Sequence, residues 1–215
     1  MTAPVWNRGG VSETVREIDT PHGPARAHAQ LVEQPRAALV LGHGAGGGVT
    51  ARDLVSATEA ALGRDVSVVL VEQPYRVAGR RSPAPAGQLD TAWRAVMEAL
   101  REDEARGLPL LVGGRSSGAR VACRTAGEVG AAGVLCLAFP LLPPARRSGP
   151  HPVSRLPELE AVDVPMLVVQ GANDRFGIPP AARGRAVVVV PGDHALRSGH
   201  DELRAAVGDW LAEVV

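Results

Sequence analysis

Aromatic residues make up only 3% of the 215-residue chain, which leaves few platforms on which bases or sugars could stack. No charge of one sign is in excess: 23 basic and 23 acidic side chains give a formal net charge of zero, and the two signs are interspersed. The basic footprint needed to grip a phosphate backbone is therefore missing, and nucleic acid is not expected as a partner. Long hydrophobic runs are missing too. None approaches the ~20 residues of a membrane span, and Met1 to Gly10 lacks an apolar core of signal-peptide length. Membrane insertion and export are not expected. Only two cysteines occur, Cys123 and Cys136, without metal-ligand spacing; they read as reduced, buried filler. These absences point to a cytoplasmic protein that calls for neither metal nor cofactor.

What the chain does have is a repeating strand and helix pattern. At 22.3 kDa it is long enough for one domain burying on the order of 70% of its unfolded surface, so a single domain over residues 1–215 is predicted. Thr14 to Asp19 and Ala25 to Val32 read as strands joined by Thr20-Pro21-His22-Gly23-Pro24, an antiparallel hairpin. Apolar runs at Ala37 to Leu41, Val66 to Val71, Leu110 to Val112, Gly133 to Phe139, Pro165 to Gln170 and Ala186 to Val190 read as strands, those in the middle covered on both faces. Leu89, Ala92, Trp93, Val96, Met97 and Leu100 form the core stripe of an amphipathic helix. Leu203, Ala206, Val207, Trp210, Leu211 and Val214 do the same for the last helix. Thr50 with Asp53, and Ser198 with Asp201, are predicted to cap helices. Glu72 to Gly87 is predicted as an irregular loop, and Pro140 to Pro157, with Arg146, Arg147 and His151, as an excursion that lines one side of a site. The alternation implies an α/β fold: a doubly wound, mostly parallel sheet with an antiparallel N-terminal hairpin and no large cap domain. Sites in such sheets lie at the carboxyl ends of the strands.

The chemistry centres on Gly114-Arg115-Ser116-Ser117-Gly118, which fits a nucleophile elbow: a serine on a strained strand-to-helix turn, hydroxyl outward. Its flanking glycines leave room that a Cβ would fill. A serine hydroxyl needs a base to take its proton and a third group to orient that base. His194, in Pro191-Gly192-Asp193-His194-Ala195 after the last strand, is the better base; His200 is its rival. Asp174, after the preceding strand, is the acid, giving the chain order Ser, Asp, His. Asp193 reads as a turn former, and the other acid position stays empty until Glu158. The backbone amides of Ser117 and of Ala45, in His43-Gly44-Ala45-Gly46, are the expected oxyanion donors. His43 is expected to hold that loop by a hydrogen bond. Tyr75 and Arg115 are candidates to contact substrate, with a solvated elbow side chain as the other reading of Arg115. Ser117 is the rival nucleophile, but glycine would then be needed at position 115.

A second class of function competes on the glycine loop. Gly42, Gly44 and Gly47 match a dinucleotide fingerprint, with Glu72 near where a ribose-binding acid would sit. That reading leaves the elbow and the late Asp and His loops unexplained. The chain also resembles a known family, the small single-domain α/β-hydrolases related to dienelactone hydrolases. The nearest branch is that of testis-expressed protein 30 and the hydrolase-like region of NSL-complex subunit three. The resemblance rests on His43-Gly44-Ala45-Gly46-Gly47, Gln73-Pro74-Tyr75, Gly113 to Ala122, Phe139-Pro140-Leu141 with Pro143-Pro144, Gln170-Gly171 with Asp174 and Phe176-Gly177, and Gly192-Asp193-His194. It implies serine-hydrolase chemistry on Ser116, Asp174 and His194 acting on small esters. Relatives often carry methionine and glycine where this chain has Ser117 and Ala119. Because the NSL-like branch acts as part of an assembly, a catalytically silent interaction module on the hydrolase fold is the alternative, and the partner expectation extends to a protein partner or a homo-oligomer.

Overall fold

Five predominantly apolar runs become strands buried along almost their whole length: β3 (Ala37–Gly42), β4 (Val66–Glu72), β5 (Leu110–Arg115), β6 (Gly133–Leu137) and β7 (Met166–Gly171). The computed structural model describes residues 10–143 and 153–215. The predicted hairpin forms as β1 (Val11–Ile18) and β2 (Ala25–Val32), and β8 (Arg185–Val190) closes the far edge. All eight strands join one sheet in the order β1-β2-β4-β3-β5-β6-β7-β8. The β1–β2 and β2–β4 pairs are antiparallel and the rest parallel. The inner strands lack polar alternation because helices cover both faces.

Side chains alternate between two cores along each strand. Ala38 and Val40 of β3 face α3 (Ala86–Glu102) and α4 (Ser117–Thr125), where Trp93 and Met97 are buried. Ala37, Leu39 and Leu41 face α1 (Arg52–Leu62) and α6 (His200–Val214), with Leu54 and Trp210. The stripe predicted on α3 is its buried face; on α6, Leu203, Val207, Trp210 and Leu211 are buried, while Ala206 and Val214 are half-buried against the same core. Among the described residues no helix is long and apolar enough to cross a membrane.

Three local expectations need correction. The loop from Glu72 to Gly87 contains a single turn, α2 (Pro74–Val77), which Pro74 opens. Neither predicted cap operates. Ala51 stands at the N-cap of α1 and Gly199, in the left-handed region, at that of α6, with no side-chain cap at either. Asp53 is drawn inward to an arginine, while the Ser198 hydroxyl donates to the Pro191 carbonyl. Of the Pro140 to Pro157 excursion, a short helix α5 (Leu156–Glu160) ends the described part. Pro144, Arg146, Arg147 and His151 lie outside the described residues. Cys123 and Cys136 are free and buried, their sulfurs 3.5 Å apart.

Candidate active site

The register of the parallel strands brings the ends of β3 and β5 side by side, with Gly42 opposite Gly114. Ser116 follows at φ 52°, ψ −104°, a conformation that costs a non-glycine residue ~1–3 kcal/mol and persists only where neighbours impose it. The neighbours here are two glycines. A Cβ on Gly114 or on Gly118 would run into the Gly42 carbonyl oxygen, so only this sequence lets the turn and α4 lie so close to β3. Ser116 occupies the N-cap of α4, yet its hydroxyl caps nothing. Its Oγ stands 2.9 Å from His194 Nε2 instead.

His194, on the loop after β8, meets Asp174, on the loop after β7: Nδ1 lies 2.8 Å from Asp174 Oδ2. A carboxylate only accepts, so Nδ1 carries the proton and Nε2 turns its lone pair to the Ser116 hydroxyl. The Asp174 side chain is fully buried and held by two further donors. The Phe176 N–H donates to Oδ1 at 2.9 Å, and Gln170 Nε2 to Oδ2 at 2.7 Å. Gln170 is a functional neighbour that sequence reasoning missed. The available signal was a glutamine at the end of a strand otherwise wholly apolar, a place where a buried amide needs partners. The Phe176 ring also meets the His194 ring edge-on, centroids 4.4 Å apart. Asp193 is the turn former expected, its Oδ1 accepting from the Ala195 N–H. His200 is engaged elsewhere, by Ser56 Oγ and the Arg197 carbonyl.

The glycine loop after β3 is braced from behind. His43 Nδ1 donates to the Gly44 carbonyl at 2.8 Å, and Nε2 accepts the Gln73 N–H at 3.1 Å. Those partners require the neutral ring. Burial pushes its pKa below the usual histidine value, with Arg76 adding to the effect and the Gly44 carbonyl opposing it. Tyr75, proposed from sequence as a substrate contact, is buried and outside the cleft wall. Its hydroxyl donates to the Ala45 carbonyl at 3.0 Å, and burial pushes its pKa up to about 12, so it stays a donor. Neither the Ala45 nor the Ser117 N–H enters a turn or loop hydrogen bond among the described residues.

Arg115 also departs from expectation. It lines the cleft, but two nitrogens of its guanidinium are engaged by the protein itself. Nη2 donates to the His194 carbonyl at 2.9 Å. Nε sits 2.9 Å from Asp53 Oδ2, a charge contact lying off the N–H axis. Asp53 is 1% exposed, and burial pushes its carboxyl above the usual range although Arg115 pulls the other way. The pair thus clasps α1, the elbow and the histidine loop. A cleft of about 470 Å³ opens over Ser116, walled by Ala45, Gly46, Ser117, His194 and Phe176 among others. Among the described residues no group of three or more His, Cys, Asp or Glu is arranged to hold a metal ion.

A strand-turn-helix serine facing histidine and aspartate loops suits one fold family, and a family model for the alpha/beta hydrolase domain matches residues 35–201. The chain belongs to the alpha/beta hydrolases. No curated protein matches it by sequence. Among solved structures, this alpha/beta hydrolase is similar to XC6422 from Xanthomonas campestris, described as an α/β serine hydrolase without lid, at 19% identity and TM-score 0.72, covering 98% of this chain and 97% of that one. It is similar to a dienelactone hydrolase from Anabaena variabilis at 13% identity and TM-score 0.73, covering 96% and 99%. Est1E from Butyrivibrio proteoclasticus matches at 14% identity and TM-score 0.72, covering 93% and 98%. These likenesses concern the fold. The acid of the dinucleotide reading is engaged elsewhere: Glu72 Oε2 lies 3.1 Å from His28 Nε2 and 3.5 Å from Arg26 Nη1, on the hairpin.

Proposed function

We propose that the protein hydrolyses small carboxylic esters through an acyl-enzyme on Ser116. The observation that carries this reading is the continuous hydrogen-bonded line from Ser116 Oγ through His194 to Asp174, starting from a strained elbow. Ser116 Oγ attacks the ester carbonyl carbon, its proton passing to His194 Nε2 while the carbonyl π electrons move to oxygen. The Ala45 and Ser117 amides donate to that oxyanion, each such donor contributing about 3 kcal/mol. The tetrahedral intermediate collapses, the ester C–O bond breaks, and His194 returns the proton to the departing alcohol. Water repeats the sequence, with His194 again as base, and releases the acid. Asp174 holds the Nδ1–H tautomer and stabilises the imidazolium formed in each half.

The motif resemblance to the small hydrolases related to dienelactone hydrolases supports the same chemistry. Steady-state hydrolysis of 4-nitrophenyl acetate provides the test. Ser116→Ala is expected to abolish turnover and Ser117→Ala to retain it. Equal activity in Ser116→Ala and wild type would remove the proposal and favour the silent interaction module.

A further inference from the structure

The chain as a whole is neutral, and all 23 of its basic residues are arginine. The walls of the Ser116 cleft are not neutral. Arg115, Arg120, Arg155 and Arg175 all line it. Two of the four are matched by carboxylates: Arg115 by Asp53, and Arg120 by Glu158, whose Oε2 accepts from Nε at 2.9 Å. Glu158 is shared, since Arg124 also approaches it at 3.5 Å while making its main pair with Asp90. Three guanidiniums, those of Arg120, Arg124 and Arg155, therefore surround two carboxylates, and Arg155 is the one left over. Among the described residues its guanidinium donates to the Pro140 carbonyl, at 3.0 Å, and to no carboxylate. Burial, with Arg120 and Arg124 near it, pushes its pKa below the usual arginine range even though Glu158 opposes this.

Arg175 follows the triad aspartate, and its guanidinium lies 4.8 Å above the centre of the Phe176 ring. That ring is the one packed against His194, so Arg175 is held beside the reacting groups by a stacked aromatic rather than by an acid. Among the described residues no carboxylate pairs with Arg155 or Arg175, and residues 1–9 and 144–152 contain no Asp or Glu that could do so. The hollow on the other side of Arg115 continues the pattern with Arg52 and Arg197, its one carboxylate, Asp53, being taken by Arg115. Guanidinium forks match planar oxyanions bidentately and lose less on desolvation than ammonium groups. A cleft of one sign on a neutral protein also concentrates the opposite charge, raising encounter rates by ~10–10³-fold at low salt.

We infer that the ester turned over at Ser116 carries an oxyanion group, a carboxylate or a phosphate, seated between Arg155 and Arg175. The inference rests on the serine hydrolase reading and names its substrate class. Two 4-nitrophenyl esters of equal acyl length separate the two claims: the hemisuccinate, ending in a carboxylate, and the butyrate, ending in a methyl. Wild type is expected to favour the hemisuccinate at least tenfold in kcat/KM at low ionic strength, the ratio shrinking toward unity in ~0.5 M salt as screening sets in. Arg155→Gln and Arg175→Gln should each reduce that ratio severalfold. Because Arg175 is exposed, its variant is not at risk of unfolding. Succinate and inorganic phosphate, compared as competitive inhibitors of butyrate hydrolysis, identify the oxyanion by whichever binds more tightly. Butyrate turnover without a hemisuccinate preference, or a preference untouched by both variants, overturns the anion seat and leaves the hydrolase intact. Turnover of neither ester overturns both.

Discussion

Replacing Asp174 by asparagine changes one atom and reaches every hydrogen bond of the candidate triad. The native carboxylate accepts from three donors: the Phe176 N–H on Oδ1, and Gln170 Nε2 and His194 Nδ1 on Oδ2. Asparagine offers one oxygen and one NH₂. If its oxygen takes the Oδ2 place, the NH₂ faces the Phe176 N–H, a buried donor against a donor, costing ~1–3 kcal/mol. If the NH₂ takes the Oδ2 place, it meets the Gln170 amide and forces His194 into the other tautomer. Nε2 then carries the proton and points it at Ser116 Oγ, so it cannot accept one. The second arrangement removes the base, and the corresponding substitution in a serine protease lowered kcat by about 10⁴, or about 5.4 kcal/mol at 1.36 kcal/mol per decade. The expected outcome for Asp174→Asn is therefore a loss of 10³–10⁴ in kcat on 4-nitrophenyl acetate, with the folded chain retained by circular dichroism. A loss under tenfold in a folded variant would refute the argument that Asp174 sets the tautomer.

Three further outcomes follow from the packing. Trp93→Ala empties a fully buried site on α3, costing ~3–5 kcal/mol, or a fall in Tm of ~6–20 °C for a chain of this size. A fall under 3 °C would contradict the assigned core. Asp53→Ala leaves the Arg115 guanidinium without its anion; as Arg115 is 17% exposed, the lower end of the buried-pair range applies, about 3 kcal/mol. Loss of the clasp on the His194 carbonyl should lower kcat in the same variant while KM for a small ester changes little, which steady-state kinetics will read. His43 supplies a pH dependence. Its pKa is depressed by burial in the folded state, so below the unfolded value near ~6.5 the unfolded chain binds the proton that the folded ring refuses. The stability that His43 contributes is complete above that pH and declines as pH falls. The difference in unfolding free energy between wild type and His43→Gln should therefore shrink from pH 7.5 to pH 5; an unchanged difference contradicts the neutral, buried ring.

The features legible in the sequence were those governed by neighbours along the chain. Continuous valine and leucine runs marked β3 to β7 because strands covered on both faces need no polar alternation. The two glycines around Ser116 announced a turn that only their missing Cβ atoms permit, and the loops after β7 and β8 carried Asp174 and His194 to the strand ends where such sites lie. Local signals also misled where a distant partner outcompeted a local one. Asp53 has capping-box spacing from Thr50, but its Oδ1 accepts the neighbouring Leu54 N–H and its Oδ2 meets Arg115, 62 positions later, instead of reaching back to Thr50. Tyr75 and Arg115 were sensible substrate contacts until their hydroxyl and guanidinium met Ala45 O and His194 O, pairings separated by 30 and 79 residues. The role of Gln170 was not legible because a lone amide in an apolar strand gives no hint of which carboxylate it will support.

The central claim, that Ser116 is the activated nucleophile, is tested most directly by intact-protein mass spectrometry after brief exposure to a fluorophosphonate, with the adduct mapped by peptide sequencing. One adduct per chain is expected, on Ser116, formed by wild type and by Ser117→Ala and slowed by orders of magnitude in His194→Ala. An adduct on another residue, or labelling of Ser116→Ala at the wild-type rate, would contradict it.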